Sequence, residues 1–266
     1  MDDYNRLISH LQPLAPLAVA FSGGVDSSLL LKASHDAVGD QALAITIDSP
    51  LQFRQELADA ALLASQIGVR QLVLPFDPDT VPGLMHNPPE RCYLCKHALL
   101  SRCIAELSCR TLPPATPWTL LDGSTTDDLL AHRPGSRALK ELGVRSPLQE
   151  LGLDKATIRT LSRQHGLPTW NKPAQSCLMT RFAHGSPVSA ADLRRVESCE
   201  EALHGLGFTV VRVRSLGTIA RIEVHNEELA ALKVPAVQEA VESLCKKAGF
   251  SRVMIDPAGY RSGSMD

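Results

Sequence analysis

Apolar and polar positions along this chain switch between a strand period and a helix period from one segment to the next. Leu17 to Phe21 is a short apolar run. It gives way to Ser22-Gly23-Gly24-Val25-Asp26-Ser27-Ser28 and then to Leu29, Leu30 and Leu31 in a helical pattern. That order predicts a buried strand, a tight loop and a helix start. Residues 4–15 predict a lead-in helix carrying Leu7, Ile8 and Leu11. Ala42 to Asp48 predicts a second buried strand, Gln52 to Ile67 an amphipathic helix, and Val69 to Phe76 a third strand. The β-α-β-α-β repeat predicts an α/β fold with a parallel, Rossmann-like sheet and helices on both faces. Arg91 to Leu107 reads as a helix, Trp118 to Gly123 as a fourth strand, and Lys155 to His165 as a further helix. Arg133-Pro134-Gly135-Ser136-Arg137 and Arg145-Ser146-Pro147-Leu148 read as basic loops near one edge. Beyond residue 185 the order becomes helix 189–204, strands 208–214 and 219–224, helix 235–247 and strand 251–256. The expected domains are therefore 1–185 and a small α+β unit at 186–266.

The glycine loop carries the strongest chemical signal. Adjacent glycines reach backbone angles closed to other residues, so successive N–H groups can line one concave nest. The helix that follows adds its N-terminal N–H groups and positive dipole end, with Asp26 or Ser27 as the expected cap. Such a loop suits a polyanion. It lacks the Lys of the G-x-x-x-x-G-K-[ST] phosphate loop, and its spacing differs from the G-x-G-x-x-G of dinucleotide folds. The run Ser22 to Ser27 instead resembles the PP-loop of the ATP pyrophosphatases, which cut ATP between its α and β phosphates. The bland reading is a Ser/Gly-rich turn before a capped helix. Ligands of parallel sheets sit beyond the carboxyl ends of the strands, and both the loop and Asp48-Ser49 fall there.

Composition narrows the setting. With 266 residues and 44% hydrophobic content, the chain can bury a core. No apolar run approaches the ~20 residues of a membrane span. Met1-Asp2-Asp3-Tyr4 lacks the basic-then-apolar plan of a signal peptide, which predicts a cytoplasmic protein that does not engage a membrane. A net charge of −2 offers no general attraction to nucleic acid. Seven cysteines without an export signal argue against a disulfide framework and raise metal or catalytic roles.

Cys92 and Cys95 stand at i, i+3 on a predicted helix, so both thiols share a face. Together with Cys177 they make a three-thiolate set that fits a four-iron four-sulfur cluster with one iron open to an external ligand. Zinc asks for a fourth ligand, and none flanks these positions at zinc-finger spacing. The alternatives are two buried helical cysteines with a lone loop thiol, or a redox pair, whose usual thioredoxin-like setting is absent. Cys103, Cys109, Cys199 and Cys245 have no paired spacing and read as core or surface thiols.

Taken in order, these pieces resemble the LarE family of ATP-dependent sulfur transferases. The resemblance covers most of the chain. It rests on the loop at 22–27, Asp48-Ser49-Pro50, Arg91-Cys92-Tyr93-x-Cys95-Lys96, Asp122-Gly123 with Asp127-Asp128, Arg133-Pro134-Gly135-x-Arg137-Ala138, Arg145-Ser146-Pro147-Leu148 and Cys177-Leu178-x-x-Arg181-Phe182. Val211 to Arg214 and Ala220 to Val224 also match. The resemblance implies ATP with Mg2+ in the loop. It also implies a pyridinium biscarboxylate mononucleotide as the substrate, adenylated on a carboxylate, and a sulfur donor that displaces AMP in nickel-pincer cofactor synthesis. In one branch the cysteine matching Cys177 surrenders its own sulfur. In another, three cysteines hold a four-iron cluster carrying extra sulfide, and Cys92, Cys95 and Cys177 resemble that branch. One departure is local: Phe182-Ala183-His184-Gly185 replaces the family's Phe-Pro-Tyr-Gly. Family members form larger assemblies, which implies a homo-oligomer.

The candidate nucleotide site is thus Ser22, Gly23, Gly24, Val25, Asp26, Ser27 and Ser28, with Asp48, Ser49, Gly123, Asp127 and Arg133. Cys177, Asp26 and Arg181 are the candidates for the chemistry, and Cys92, Cys95 and Cys177 for metal. Arg181, Arg212 and Arg214, with Glu200, are the candidates for the substrate phosphate, because planar guanidinium forks match phosphate oxygens. Glu201 and Glu223 offer further carboxylates for a metal. The competing readings are a solvated arginine face at 212 and 214 and helix capping by Asp127 and Asp128. At the level of function they are a PP-loop tRNA thiolase, an amidating ligase and a nucleotide sensor without turnover.

Overall fold

The computed structural model describes residues 2–110, 116–130 and 134–261, so Arg133 lies outside the described residues. The chain divides into two compact units. One runs to Val81 and resumes over Glu90–Gln175; the other joins Pro82–Pro89 to the chain from Ser176 onward.

In chain order the first unit contains α1 (Asp3–Leu11), β1 (Leu17–Ala20), α2 (Val25–Val38), β2 (Ala42–Asp48), α3 (Arg54–Ile67) and β3 (Arg70–Pro75). It continues with α4 (Arg91–Ser108), β4 (Thr119–Leu121), α5 (Asp127–Leu130), α6 (Gly135–Glu141), α7 (Pro147–Glu150) and α8 (Lys155–Gln164). The four strands form one parallel sheet in the order β3-β2-β1-β4, with Leu17 paired to Ala42 on one side and Thr119 on the other. The two-residue period of a strand sorts the core. Leu17, Val19, Ala42, Ala44 and Leu121 join residues of α1, α2, α3 and α8 in one cluster. Ala18, Leu43, Ile45 and Leu120 join Leu100, Cys103 and Leu107 of α4 and Leu139 of α6 in another. Helices on both faces explain why these strands read as unbroken apolar runs. From β1 the chain steps outward to β2 and β3, then returns to lay β4 on the opposite side of β1. Between β1 and β4 the connections diverge, which is where doubly wound sheets open a ligand crevice.

The second unit contains α9 (Ala190–Gly205), β5 (Val211–Leu216), β6 (Ile219–Val224), α10 (Leu229–Leu232), α11 (Pro235–Lys247) and β7 (Arg252–Ile255). Its sheet is β5-β6-β7, antiparallel then parallel. Ser189 and Asp192 form a reciprocal capping box at the start of α9.

The structure corrects four expectations. The basic stretches are not loops: Gly135–Glu141 is a helix because close packing on α4 overrides the Pro-Gly signal, and Pro147–Glu150 is a helix held by Glu150 on Arg145 and on His10 of α1. A Cβ at Gly135 would stand 3.2 Å from Lys96 Cδ. Neither Asp26 nor Ser27 caps α2, since Gly24 is the cap residue and makes no side-chain cap bond. The first strand of the second unit begins three residues late, at Val211. Cys199 and Cys245 are bonded to each other, tying α9 to α11, although no local spacing announces it. Among the described residues no helix is long and apolar enough to cross a membrane.

Candidate active site

The glycine loop sits at the carboxyl end of β1. Gly23 has φ +70°, and a Cβ there would meet Ala60 of α3 at 3.1 Å, so both conformation and space require glycine. Gly24 is extended, so the two glycines are not equivalent. Ser22 Oγ and Ser27 Oγ lie 3.2 Å apart, and Ser28 Oγ donates to Gly24 O at 2.6 Å, closing the loop on itself. With no side-chain cap, the N-terminus of the 14-residue α2 keeps its positive end for a ligand. Gly123, just past β4, packs against that same end: a Cβ on it would lie 3.1 Å from Ser27 N.

Of the other nucleotide candidates, Asp48 is gripped by Arg54 at 2.5 Å, and Arg54 also donates to Ser49 O at 2.6 Å. Asp127 accepts the Lys155 N–H at 2.8 Å, and Asp128 accepts the Thr125 N–H at 2.9 Å, both structural bonds of the helix-capping kind. Two lysines were not among the candidate site residues. Lys172 Nζ donates to Gly23 O at 3.4 Å and lies 3.6 Å from Asp59, which puts a cation at the glycine loop from a segment far along the chain. Lys96 Nζ lies 3.0 Å from Asp122. Only the place of Lys96 beside Cys95 offered a local signal for either.

Cys92 and Cys95 occupy the first two turns of α4, outside any disulfide, exposed and half-buried respectively. Between them Tyr93 donates to Glu141 of α6 at 2.7 Å under the Arg137 guanidinium, which fixes the register of α4 on α6. Cys103 is buried, and burial pushes its thiol up to about 11, where it is inert. Cys177 belongs to the second unit. It is exposed and outside any disulfide, at the head of a 3₁₀ turn, Leu178–Arg181, which is anchored by the buried Leu178 and Met179. Among the described residues no group of three His, Cys, Asp or Glu side chains is gathered to hold a metal ion.

The same turn leads into a buried ionic network. Arg181 and Glu200 are fully buried and paired in bidentate fashion at 2.9 and 2.8 Å. Arg181 Nη1 also donates to Ser176 O, Ser176 Oγ, Cys177 O and Thr180 Oγ1, so this one cation organises the whole Cys177 turn. Glu200 additionally accepts the Val213 N–H at 2.7 Å. Arg214 pairs with Glu223 and donates to Thr180 O. Arg212 and Arg214 are buried, which overturns the solvated-face alternative. Arg212 has no carboxylate partner among the described residues. It donates to Val211 O and lies over the Tyr260 ring. Burial and the neighbouring Arg181 cation push its guanidinium below the ordinary value. The Glu200 carboxylate pulls the other way, so the buried Arg212 cation is partly offset.

No protein-family profile matches the chain. It is 33% identical over 261 residues to the pyridinium-3,5-bisthiocarboxylic acid mononucleotide synthase of Lactiplantibacillus plantarum, covering 98% of this chain and 92% of that protein. The chain belongs to the LarE family. It is also 38% identical over 250 residues to an uncharacterized protein of Synechocystis, covering 93% and 91%. An uncharacterized protein of Methanocaldococcus jannaschii is 29% identical over 246 residues. As a LarE-family protein, this chain is an enzyme. Its family-atypical His184 is set against Asn87, whose backbone carbonyl lies 3.3 Å from His184 Nδ1. Asn87 is the residue the sequence reading missed outright. Fully buried, it donates from Nδ2 to the carbonyls of Met179, Phe182 and Ala183 and so holds the segment that follows Cys177.

Proposed function

We propose that this enzyme activates a carboxylate of a pyridinium biscarboxylate mononucleotide with ATP and replaces the activated oxygen by sulfur. The similarity over 98% of the chain to a bisthiocarboxylic acid mononucleotide synthase carries this reading, and the uncapped helix beside Gly23 supports it. A carboxylate oxygen attacks the α-phosphorus and the α–β phosphoanhydride bond breaks. Pyrophosphate departs with the bonding pair, leaving an acyl-adenylate. Sulfur then attacks the acyl carbon and AMP departs, giving the thiocarboxylate. The loop N–H groups and Lys172 offset charge on the departing pyrophosphate. Magnesium sites on nucleotides use one or two carboxylates plus the phosphates, so they need no all-protein cage. Asp26, in the first turn of α2, is the carboxylate for that role, and the ion supplies Lewis-acid stabilisation of the phosphates.

The donor set suits an iron–sulfur cluster chemically: three solvent-reachable cysteines outside any disulfide, while Cys103 is buried and Cys199 is bonded to Cys245. Cys92, Cys95 and Cys177 would hold it, and its chemistry is that of a soft, sulfide-carrying centre. Arg181 sets the backbone around Cys177, and Arg212 takes the mononucleotide phosphate beside Arg214.

The deciding experiment measures pyrophosphate release from ATP with and without pyridinium-3,5-biscarboxylate mononucleotide. Release only with the acid, with a product carrying sulfur in place of oxygen, is the expected result; no release sinks the reading. Anaerobic protein is expected to hold about four iron per chain and to lose it on Cys177→Ala. Iron-free protein that turns over once and loses the mass of one sulfur points to the sacrificial route.

A further inference from the structure

The second unit carries a groove of about 420 Å3 between α9 and α11. That is inside the roughly 300–1,000 Å3 range of small-molecule sites. Three cations line it, Arg194 and Arg195 from α9 and Lys247 from α11, and among the described residues no carboxylate does. A chain of net charge −2 thus gathers three positive side chains at one small place. Ser198 adds a hydroxyl, and Ala191 and Leu244 an apolar part. The Cys199–Cys245 bond ties the two helices one residue from Ser198 and one from Leu244, so the walls are fixed before a ligand arrives.

Two of those charges are uncompensated. Arg194 and Lys247 are exposed and make no ion pair or hydrogen bond among the described residues. Arg195 is instead held in place. Its Nη2 donates to Asp192 at 2.7 Å and to Gly217 O at 3.1 Å, and its guanidinium lies over the Phe250 ring. The other oxygen of Asp192 is taken by the Ser189 N–H and hydroxyl. Arg195 Nε stays buried without an acceptor among the described residues. The backbone adds to the same sign. Ala191 stands in the first turn of the 16-residue α9, so the positive end of that helix opens on the groove. At the opposing end of α11 the carbonyls of Leu244, Cys245 and Lys246 accept from Ala248, Phe250 and Gly249, which blunts the negative end of that helix.

We propose that this groove is a second anion site, built for inorganic pyrophosphate. Guanidinium forks on one wall and an ammonium on the other match an anion whose charge is spread over two linked phosphoryl groups. Among the described residues no aromatic ring lines the groove, so a nucleotide base finds no stacking partner there. The site is distinct from the glycine loop, which belongs to the first unit. The reaction proposed above would release this anion, but the assignment stands on the groove alone and holds whether or not the enzyme activates a carboxylate.

The test uses the full chain without Mg2+, with inorganic pyrophosphate as the probe. Acetic anhydride labelling of Lys247, read by mass spectrometry, should slow at least about threefold at saturating pyrophosphate, because the bound anion covers the amine. Exposed Lys233 should label at an unchanged rate. Arg194→Glu, at an exposed position that leaves the fold intact, should raise the pyrophosphate concentration for half-protection of Lys247 at least about tenfold. Any protection of Lys172, which reports the glycine loop separately, should stay as in the parent. No protection of Lys247 in the unaltered protein overturns the assignment, as does protection that Arg194→Glu leaves unchanged. A Lys247 already unreactive without the anion overturns it too. Equal protection by sulfate at matched ionic strength would reduce the groove to general charge screening and end the proposal. Failure of pyrophosphate release from ATP leaves the Lys247 result untouched, so the two readings fail separately.

Discussion

Asn87 adopts a left-handed backbone with φ 49° and points one amide nitrogen at three carbonyls. Each of those oxygens is an acceptor that needs a donor once water is excluded. Asn87→Ala is expected to cost about 2–4 kcal/mol, from lost bonds and buried carbonyls left unsatisfied. Asn87→Asp should cost at least as much despite equal size, because a carboxylate has nothing to donate. Urea unfolding checks both, and an Asp variant as stable as the parent would refute the donor role. The Arg181–Glu200 pair teaches the same lesson in reverse. Both residues were candidates from sequence, yet only the fold shows that they are bonded to each other. Nothing local links a turn residue to one 19 positions on in a different helix.

At the scale of elements, the glycine loop was legible because its signal is local: apolar strand, two glycines, small polar residues, apolar helix. The helices α6 and α7 were not, because Pro and Gly near their starts read as loop, and contacts with distant elements, α4 for α6 and α1 for α7, decide otherwise. α7 illustrates how such a short element is held. Glu150 accepts from Arg145 at 2.8 and 2.6 Å, from the Ser146 N–H at 3.1 Å, and pairs with His10 of α1 at 2.8 Å. The Arg145 guanidinium, more than any other group, holds its carboxyl down at about 2, against an ordinary 4.5. A carboxylate depressed by folding stabilises the fold fully above its unfolded value and loses that contribution as pH falls toward the folded one. The native protein should therefore lose stability between pH about 4.5 and 2. Glu150→Gln should be less stable at neutral pH and flatter across that window. Parallel curves for parent and variant in acid unfolding followed by circular dichroism would contradict this.

At the scale of the molecule, the two units have separate reporters. Both tryptophans, Trp118 and Trp170, belong to the first unit, and the Cys199–Cys245 bond belongs to the second. Removing a cross-link that closes a loop of this length typically costs about 2–4 kcal/mol. Cys199→Ser is expected to lower the melting of the second unit seen by far-ultraviolet circular dichroism and to leave the tryptophan fluorescence transition in place. An unchanged dichroism melt would show that the bond carries no stability.

The sequence by itself determined the α/β class, the order of nearly all elements, the strand–glycine loop–helix unit and the family. Each depends on neighbours within a few turns or on a collinear series of motifs. Only the tertiary structure decided which buried charges pair, that Lys172 reaches the glycine loop, that Asn87 secures the Cys177 turn, and that residues 82–89 join the second unit. Those depend on contacts between segments up to about 150 residues apart. Partner choice there follows from which groups burial leaves unsatisfied, and no local pattern of residues encodes that.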